Sequence, residues 1–167
     1  MNRLRPLLVI LAIVAMLVVG TDVAIVAAKR GQVPGLPPPL ESLATPLGGL
    51  TIFAVLVALG FYHRRNRDSH KRLMMLATIG TAIAALDRLL FPTGLLAFSG
   101  VSLNTYTSMG LTAVFLLACF LYDWQTRGHV HPAFLWGGIA TLAWAYATRE
   151  LIPHTAVWLS FAGWMTR

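Results

Sequence analysis

Residues Leu7 to Ala28 run for 22 positions with one charged side chain, Asp22. A helix of that length spans about 33 Å, and the hydrocarbon core of a bilayer is about 30 Å thick. A bilayer interior offers no water to backbone amides, so such a run must satisfy its own N–H and C=O groups as a helix. The run follows a basic start, "MNRLRP", as in a secretory leader, and "AIVAA" supplies small residues of the kind found at cleavage sites. The apolar stretch of a leader is only about 7–15 residues long. The expectation is therefore a retained first transmembrane helix, with Pro6 near its first turn, where a missing N–H costs no hydrogen bond.

Four further stretches are apolar over the length of a span: 43–62, 73–91, 103–123 and 133–151. Pro46 sits in the first turn of the second, Pro92 stops the third, and Pro132 and Pro153 bracket the last. Composition agrees: 57% of residues are hydrophobic and 11% charged, against about 25% charged in soluble domains. The predicted fold class is an all-α integral membrane bundle of about five transmembrane helices. It forms a single domain over 1–167, with helices near 7–28, 43–62, 73–91, 103–123 and 133–151. The tail, 153–167, is apolar but too short to span and is expected at the interface, with Trp158 and Trp164 at headgroup depth. The segment 29–42, "KRGQVPGLPPPLES", reads as a stiff extended linker, and 92–102, "PTGLLAFSGVS", is uncharged.

The net charge of +7 follows from topology rather than from nucleic-acid binding. With the N-terminus in the cytoplasm, Arg3, Arg5, Arg64, Arg65, Arg67, Lys71, Arg72 and Arg127 lie inside. Lys29, Arg30, Arg149 and Arg167 lie outside, and Arg88 falls within the third span. This excess of inside cations sets the orientation of a multi-pass membrane protein. The loop "HRRNRDSHKR" carries most of it. Asp68 or Ser69 is expected to cap the third helix, placing Lys71 and Arg72 in a first turn where the helix dipole disfavours cations. Arg64, Arg65, Arg67, Lys71 and Arg72 are thus a candidate site for anionic lipid phosphate, which suits both the side chains and free N–H groups.

Four histidines, His63, His70, His129 and His131, fall on the same side. Imidazoles from two helices meeting at one depth would be a haem or metal site, with His70 and His131 the leading pair. Against this, they stand at helix ends, where histidine also serves as a plain interfacial residue. Asp22, Asp87, Arg88, Arg149 and Glu150 form a candidate intramembrane polar cluster in the outer third of the membrane. Charges there are costly unless paired, so they either fix helix packing or line a solute path. Gly80 with Ala84, and Gly137, Thr141, Ala145 and Thr148, recur at helical spacing and let transmembrane helices approach closely; Thr105, Ser108 and Thr112 form a polar stripe. The one cysteine, Cys119, lies in an apolar run and reads as a small buried hydrophobe. No metalloprotease motif, nucleophile triad or phosphate-binding glycine loop is present.

Read together, "LATPLGGL" (43–50), "HKRLMMLAT" (70–78), "LYDWQTRGHVHPAFLWGG" (121–138) and "WLSFAGWMT" (158–166) resemble a family of uncharacterised bacterial multi-pass membrane proteins over nearly the whole chain. "HKRLM" at a helix start is also similar, more distantly, to small membrane proteins associated with cytochrome oxidase assembly. Longer members of the family carry two further N-terminal helices with histidine motifs, and "MNRLRPLL" looks like the end of the loop that follows them. The resemblance implies a short form lacking those helices, a membrane fold and no known reaction. Its motifs map onto His70, Lys71, Arg72, Asp123, Arg127, His131 and Pro132.

These observations lead to a membrane protein without a catalytic site or predicted cofactor, acting as an accessory, assembly or structural subunit of a membrane complex. Its partners would be the bilayer, anionic lipids and other membrane subunits, with no nucleic acid. The competing readings are a redox protein holding haem or metal at the cytoplasmic-side histidines, and a small transporter using the outer-side charges.

Overall fold

A computed structural model of the chain describes the backbone of residues 4–29, 38–90 and 107–166, and the side chains of 10–29, 38–81 and 109–166. The described residues are helical and contain no strand. In order they form α1 (Leu4–Lys29), a single turn α2 (Pro39–Ser42), α3 (Ala44–Tyr62), α4 (Arg67–Leu90), α5 (Thr107–Arg127), α6 (Pro132–Tyr146) continued by a π-helical turn at Ala147–Leu151, and α7 (Ala156–Met165). Three stretches are long and apolar enough to cross a membrane: Ile10–Lys29, Pro39–Tyr62 and Met109–Arg127. They correspond to the first, second and fourth predicted spans. The third and fifth predicted spans are also helical, as α4 and α6.

The helix ends differ from the hydropathy boundaries for identifiable reasons. Helix α4 starts at Arg67 rather than Leu73, and its cap is neither Asp68 nor Ser69. Asn66 Oδ1 accepts from the backbone N–H groups of Asp68 (3.2 Å) and Ser69 (3.3 Å), satisfying two otherwise free amides. Helix α5 continues past Asp123 to Arg127 and stops at Gly128. That glycine takes φ = +72°, the left-handed conformation that glycine adopts without a Cβ penalty. Hydropathy marks where a helix could enter lipid, whereas caps mark where it ends. The tail is a true helix, α7, whose N-cap Thr155 accepts from Trp158 N–H. The π turn widens the end of α6, with Ile152 N–H reaching Ala147 O at 2.8 Å. The 92–102 connection, most of the linker and the start of the predicted fourth span at 103–106 lie outside the described residues.

The chain divides into two compact units, residues 1–54 with 144–167, and residues 55–143. In the first, Ala24 of α1, Leu43 and Ala162 of α7 form the buried centre, with Ala28, Leu40, Leu47 and Trp158 packed around it. Two indoles donate to distant backbone carbonyls: Trp158 Nε1 to Leu40 O and Trp144 Nε1 to Gly48 O, both at 2.9 Å. Beside the second bond, Gly48 lies so close to Thr148 that a Cβ there would overlap it. Ala24 is the one buried side chain among the described residues of α1.

In the second unit, Leu56, Val57, Leu73, Leu76, Ala77, Leu116 and Phe134 form the core. Phe120 meets Phe134 edge-on, with ring centroids 5.2 Å apart, a favoured geometry for aromatic pairs. Small residues permit the closest approaches. A Cβ at Gly137 would come within 2.5 Å of Leu76, one at Gly138 within 3.0 Å of Phe120, and one at Gly60 within 3.1 Å of Met74 Sδ. Gly137 thus lies against Leu76 of α4, and Thr141, one helical turn on, is buried with its hydroxyl donating to Gly137 O at 2.7 Å. A Cβ at Gly80 would meet nothing within 4 Å among the described residues. Ala145 is half-buried, and the side chain of Ala84 lies outside the described residues.

Candidate functional site

The first turn of α4, the last turns of α5 and the loop into α6 meet in a network of charge. Asp123 is near the end of α5 on the stripe that includes Thr112 and Leu116; Arg72 is on the α4 stripe Ser69, Leu73, Leu76 and Ala77. Both stripes follow the 3.6-residue period, so each charged residue faces inward with its apolar neighbours. Arg72 Nε donates to Asp123 Oδ2 at 2.9 Å and Arg72 Nη2 to Asp123 Oδ1 at 2.8 Å. This is a two-pronged guanidinium–carboxylate pair, the geometry in which arginine binds a carboxylate most strongly. The two side chains are only 8% and 11% exposed.

The remaining valences are also used. Arg72 Nη1 donates to the backbone O of Asp68 at 3.1 Å, and His131 N–H donates to Asp123 Oδ2 at 3.4 Å. Asp68 is itself held by Arg127, at 3.2 and 3.4 Å, in a pair that is about half exposed. The network is two arginines against two aspartates and is neutral. Among the described residues, no buried side-chain nitrogen or oxygen lacks a partner.

Arg72 is thus turned inward, away from its place in the predicted lipid cluster. Arg64, Arg65, Arg67 and Lys71 remain exposed. Asn66 Oδ1 also occupies two of the N–H groups expected to receive a phosphate, those of Asp68 and Ser69.

The histidines are dispersed in role. His63 is exposed and stands edge-on to Tyr62, and His129 is exposed. His70 is half-buried with Nδ1 2.7 Å from Gly60 O; a carbonyl only accepts, so Nδ1 carries the proton. His131 has the opposite arrangement, its Nδ1 accepting from Ala133 N–H at 3.2 Å, so the proton is on Nε2. Ligation through His131 Nε2 would require the other tautomer and would strip Ala133 N–H of its acceptor. These two residues therefore do not fit paired axial ligation in this arrangement. Among the described residues no group of three His, Cys, Asp or Glu side chains is disposed to hold a metal ion.

The predicted outer-side cluster is only partly within the described residues. Asp22 is exposed on α1 and makes no ion pair among the described residues. Arg149 and Glu150 are half-buried in the π turn. The side chains of Asp87, Arg88, Thr105 and Ser108 lie outside the described residues. His154 and Glu41 approach at 3.8 Å, a contact that sequence reading did not foresee.

The network carries a pH dependence. Partial burial, reinforced by the Arg72 charge, holds His131 below its ordinary value of 6.5. The Arg127 hydrogen bond and charge hold Asp68 below its ordinary 3.8. Both groups bind protons more readily in the unfolded chain, so stability rises with pH across each window. The expected result in detergent is a melting temperature that is level above about pH 7 and falls as the pH drops below the unfolded histidine value of about 6.5. A second decline follows below the ordinary aspartate value. A melting series across this range checks it: His131→Gln should remove the first decline and leave the second.

No protein-family model, no curated protein and no solved structure matches the chain.

Proposed function

We propose that this protein is a non-catalytic accessory or assembly subunit of a bacterial inner-membrane complex, with its N-terminus and its charge network on the cytoplasmic side and five spans, two of them α4 and α6. The motif resemblance to uncharacterised multi-pass membrane proteins is part of the same proposal. The observation that carries the subunit reading is α1. It is long and apolar enough to span, and almost none of it is buried. On its exposed surface it presents the Asp22 carboxylate, which no cation pairs among the described residues. An unpaired acidic side chain within a span is costly against lipid, by up to about 2.5–3.5 kcal/mol at the helix centre and by less in the outer third, where Asp22 is expected. A neighbouring subunit that supplies a cation or hydrogen-bond donor removes that cost and covers the apolar face together. The second unit supports the same reading, since its buried ion pair, Arg72 with Asp123, is consumed in holding helix ends.

The test is purification of the full chain in mild detergent, with partners identified and visible spectra taken oxidised and reduced. The expected result is a stoichiometric complex and a flat spectrum. Asp22→Lys should release the partner, and so should Asp22→Leu, even though it makes α1 a better lipid-facing helix. A wild-type chain that runs as a lone monomer, or a haem band belonging to this chain, overturns the proposal.

A further inference from the structure

Cations of two kinds gather around the start of α4. Arg72 of α4 and Arg127 of α5 are committed to Asp123 and Asp68. Arg64, Arg65, Arg67 and Lys71 are exposed and make no ion pair or side-chain hydrogen bond among the described residues. Four uncompensated positive charges therefore lie within eight positions, immediately after Tyr62, where the apolar stretch Pro39–Tyr62 ends.

A second, independent observation fixes the depth of this turn. The Arg72–Asp123 and Asp68–Arg127 pairs bring the first turn of α4 level with the last turns of α5, where the apolar stretch Met109–Arg127 ends. Around that level Tyr62 is 81% exposed, Tyr122 68% and Trp124 65%. Exposed tyrosine and tryptophan at the ends of apolar helices mark the membrane–water boundary, because their rings are apolar with one polar edge. The free cations thus lie at the depth of lipid headgroups, and the helix amides nearest them are already capped by Asn66.

We infer that Arg64, Arg65, Arg67 and Lys71 form a binding surface for the phosphates of anionic lipid headgroups. Recognition is by side-chain charge, without a contribution from the α4 N-terminus, and Arg72 takes no part. The surface recruits a mobile layer of anionic lipid rather than one fixed molecule, since long exposed side chains recognise the charge of a headgroup and not its shape. This inference goes beyond the subunit reading and is independent of it, because it concerns the lone chain.

The test uses the purified full chain, delipidated and then incubated in mixed micelles holding phosphatidylglycerol and phosphatidylcholine in equal amounts. Retained lipid is quantified after size exclusion. The wild type should retain phosphatidylglycerol preferentially. Each of Arg64→Gln, Arg65→Gln, Arg67→Gln and Lys71→Gln should reduce that preference by up to about fivefold, the equivalent of about 1 kcal/mol per surface cation. All four together should abolish it. These side chains hold no other part of the fold, so the variants should elute and melt like the wild type. Lys29→Gln, at the end of α1, should have no effect. Raising the ionic strength to about 1 M, where the screening length falls to about 3 Å, should erase the preference. Equal retention of the two lipids overturns the inference. So does a loss with Lys29→Gln as large as with the cluster variants, displacement by millimolar inorganic phosphate, or tighter binding of a DNA duplex than of phosphatidylglycerol. Failure here leaves partner co-purification, and with it the subunit reading, unaffected.

Discussion

Asp123→Ala should lower the stability of the detergent-solubilised protein by about 3 kcal/mol or more, the cost of leaving one member of a buried ion pair without its partner. The guanidinium of Arg72 would keep only Asp68 O and a distant Asp68 carboxylate oxygen, at 3.7 Å, and His131 N–H would lose its acceptor. Arg72→Ala should be comparably damaging for the reciprocal reason. The informative variant is the double replacement Arg72→Met with Asp123→Leu. A buried pair gains by attraction roughly what it loses in hydration, so two apolar residues of similar volume should recover most of the lost stability. Chemical or thermal unfolding of the four proteins closes a double-mutant cycle, and a coupling of about 2 kcal/mol or more is expected. If the double variant melts like either single one, the pair is not the source of the effect. Recovery of stability would assign the pair a role in register: it fixes which turn of α4 stands beside which turn of α5, a choice that apolar stripes alone leave loose.

Much of this was legible in the sequence, and the rest was hidden for physical reasons. Apolar runs located α1, α3 and α5 because a span must exceed a minimum length, and hydropathy reads length directly. Helix ends were less legible. Asn66 and Gly128 set them through capping and a left-handed backbone, outside the apolar runs. The Arg72–Asp123 pair was hidden because "HKR" offers adjacent cations without saying which faces inward. Helical phase held the answer: 69, 72, 73, 76 and 77 form one stripe, whereas Lys71 is off it. The small residues were legible only as permission. A glycine allows a neighbour to come close but does not supply one, which is why Gly137 is packed, Gly80 meets nothing among the described residues, and Gly48, Gly60 and Gly138 gave no sign of their close contacts.

That distinction sets the second large effect. Gly48→Val should destabilise the unit formed by 1–54 and 144–167 by about 3 kcal/mol. A side chain at position 48 collides with Thr148, and overpacking of this kind costs about 1–3 kcal/mol. The displaced backbone would also lose the Trp144 Nε1 bond to Gly48 O, worth about 1 kcal/mol. The indole reports the event directly, since Trp144 emission should shift with loss of its hydrogen bond while the melting temperature falls. Gly80→Ala is the matched control: it meets no neighbouring atom among the described residues and should be neutral or stabilising by up to about 1 kcal/mol, the helix preference of alanine over glycine. The collision has a specific remedy. In a Gly48→Ala background, Thr148→Gly removes the atoms that the new methyl group meets, at the cost of about 1 kcal/mol for a helical glycine. A double variant more stable than Gly48→Ala alone would assign the loss to this one contact. A double variant that is weaker still would mean that position 48 acts through the backbone of α3 instead, chiefly by breaking the Trp144 hydrogen bond.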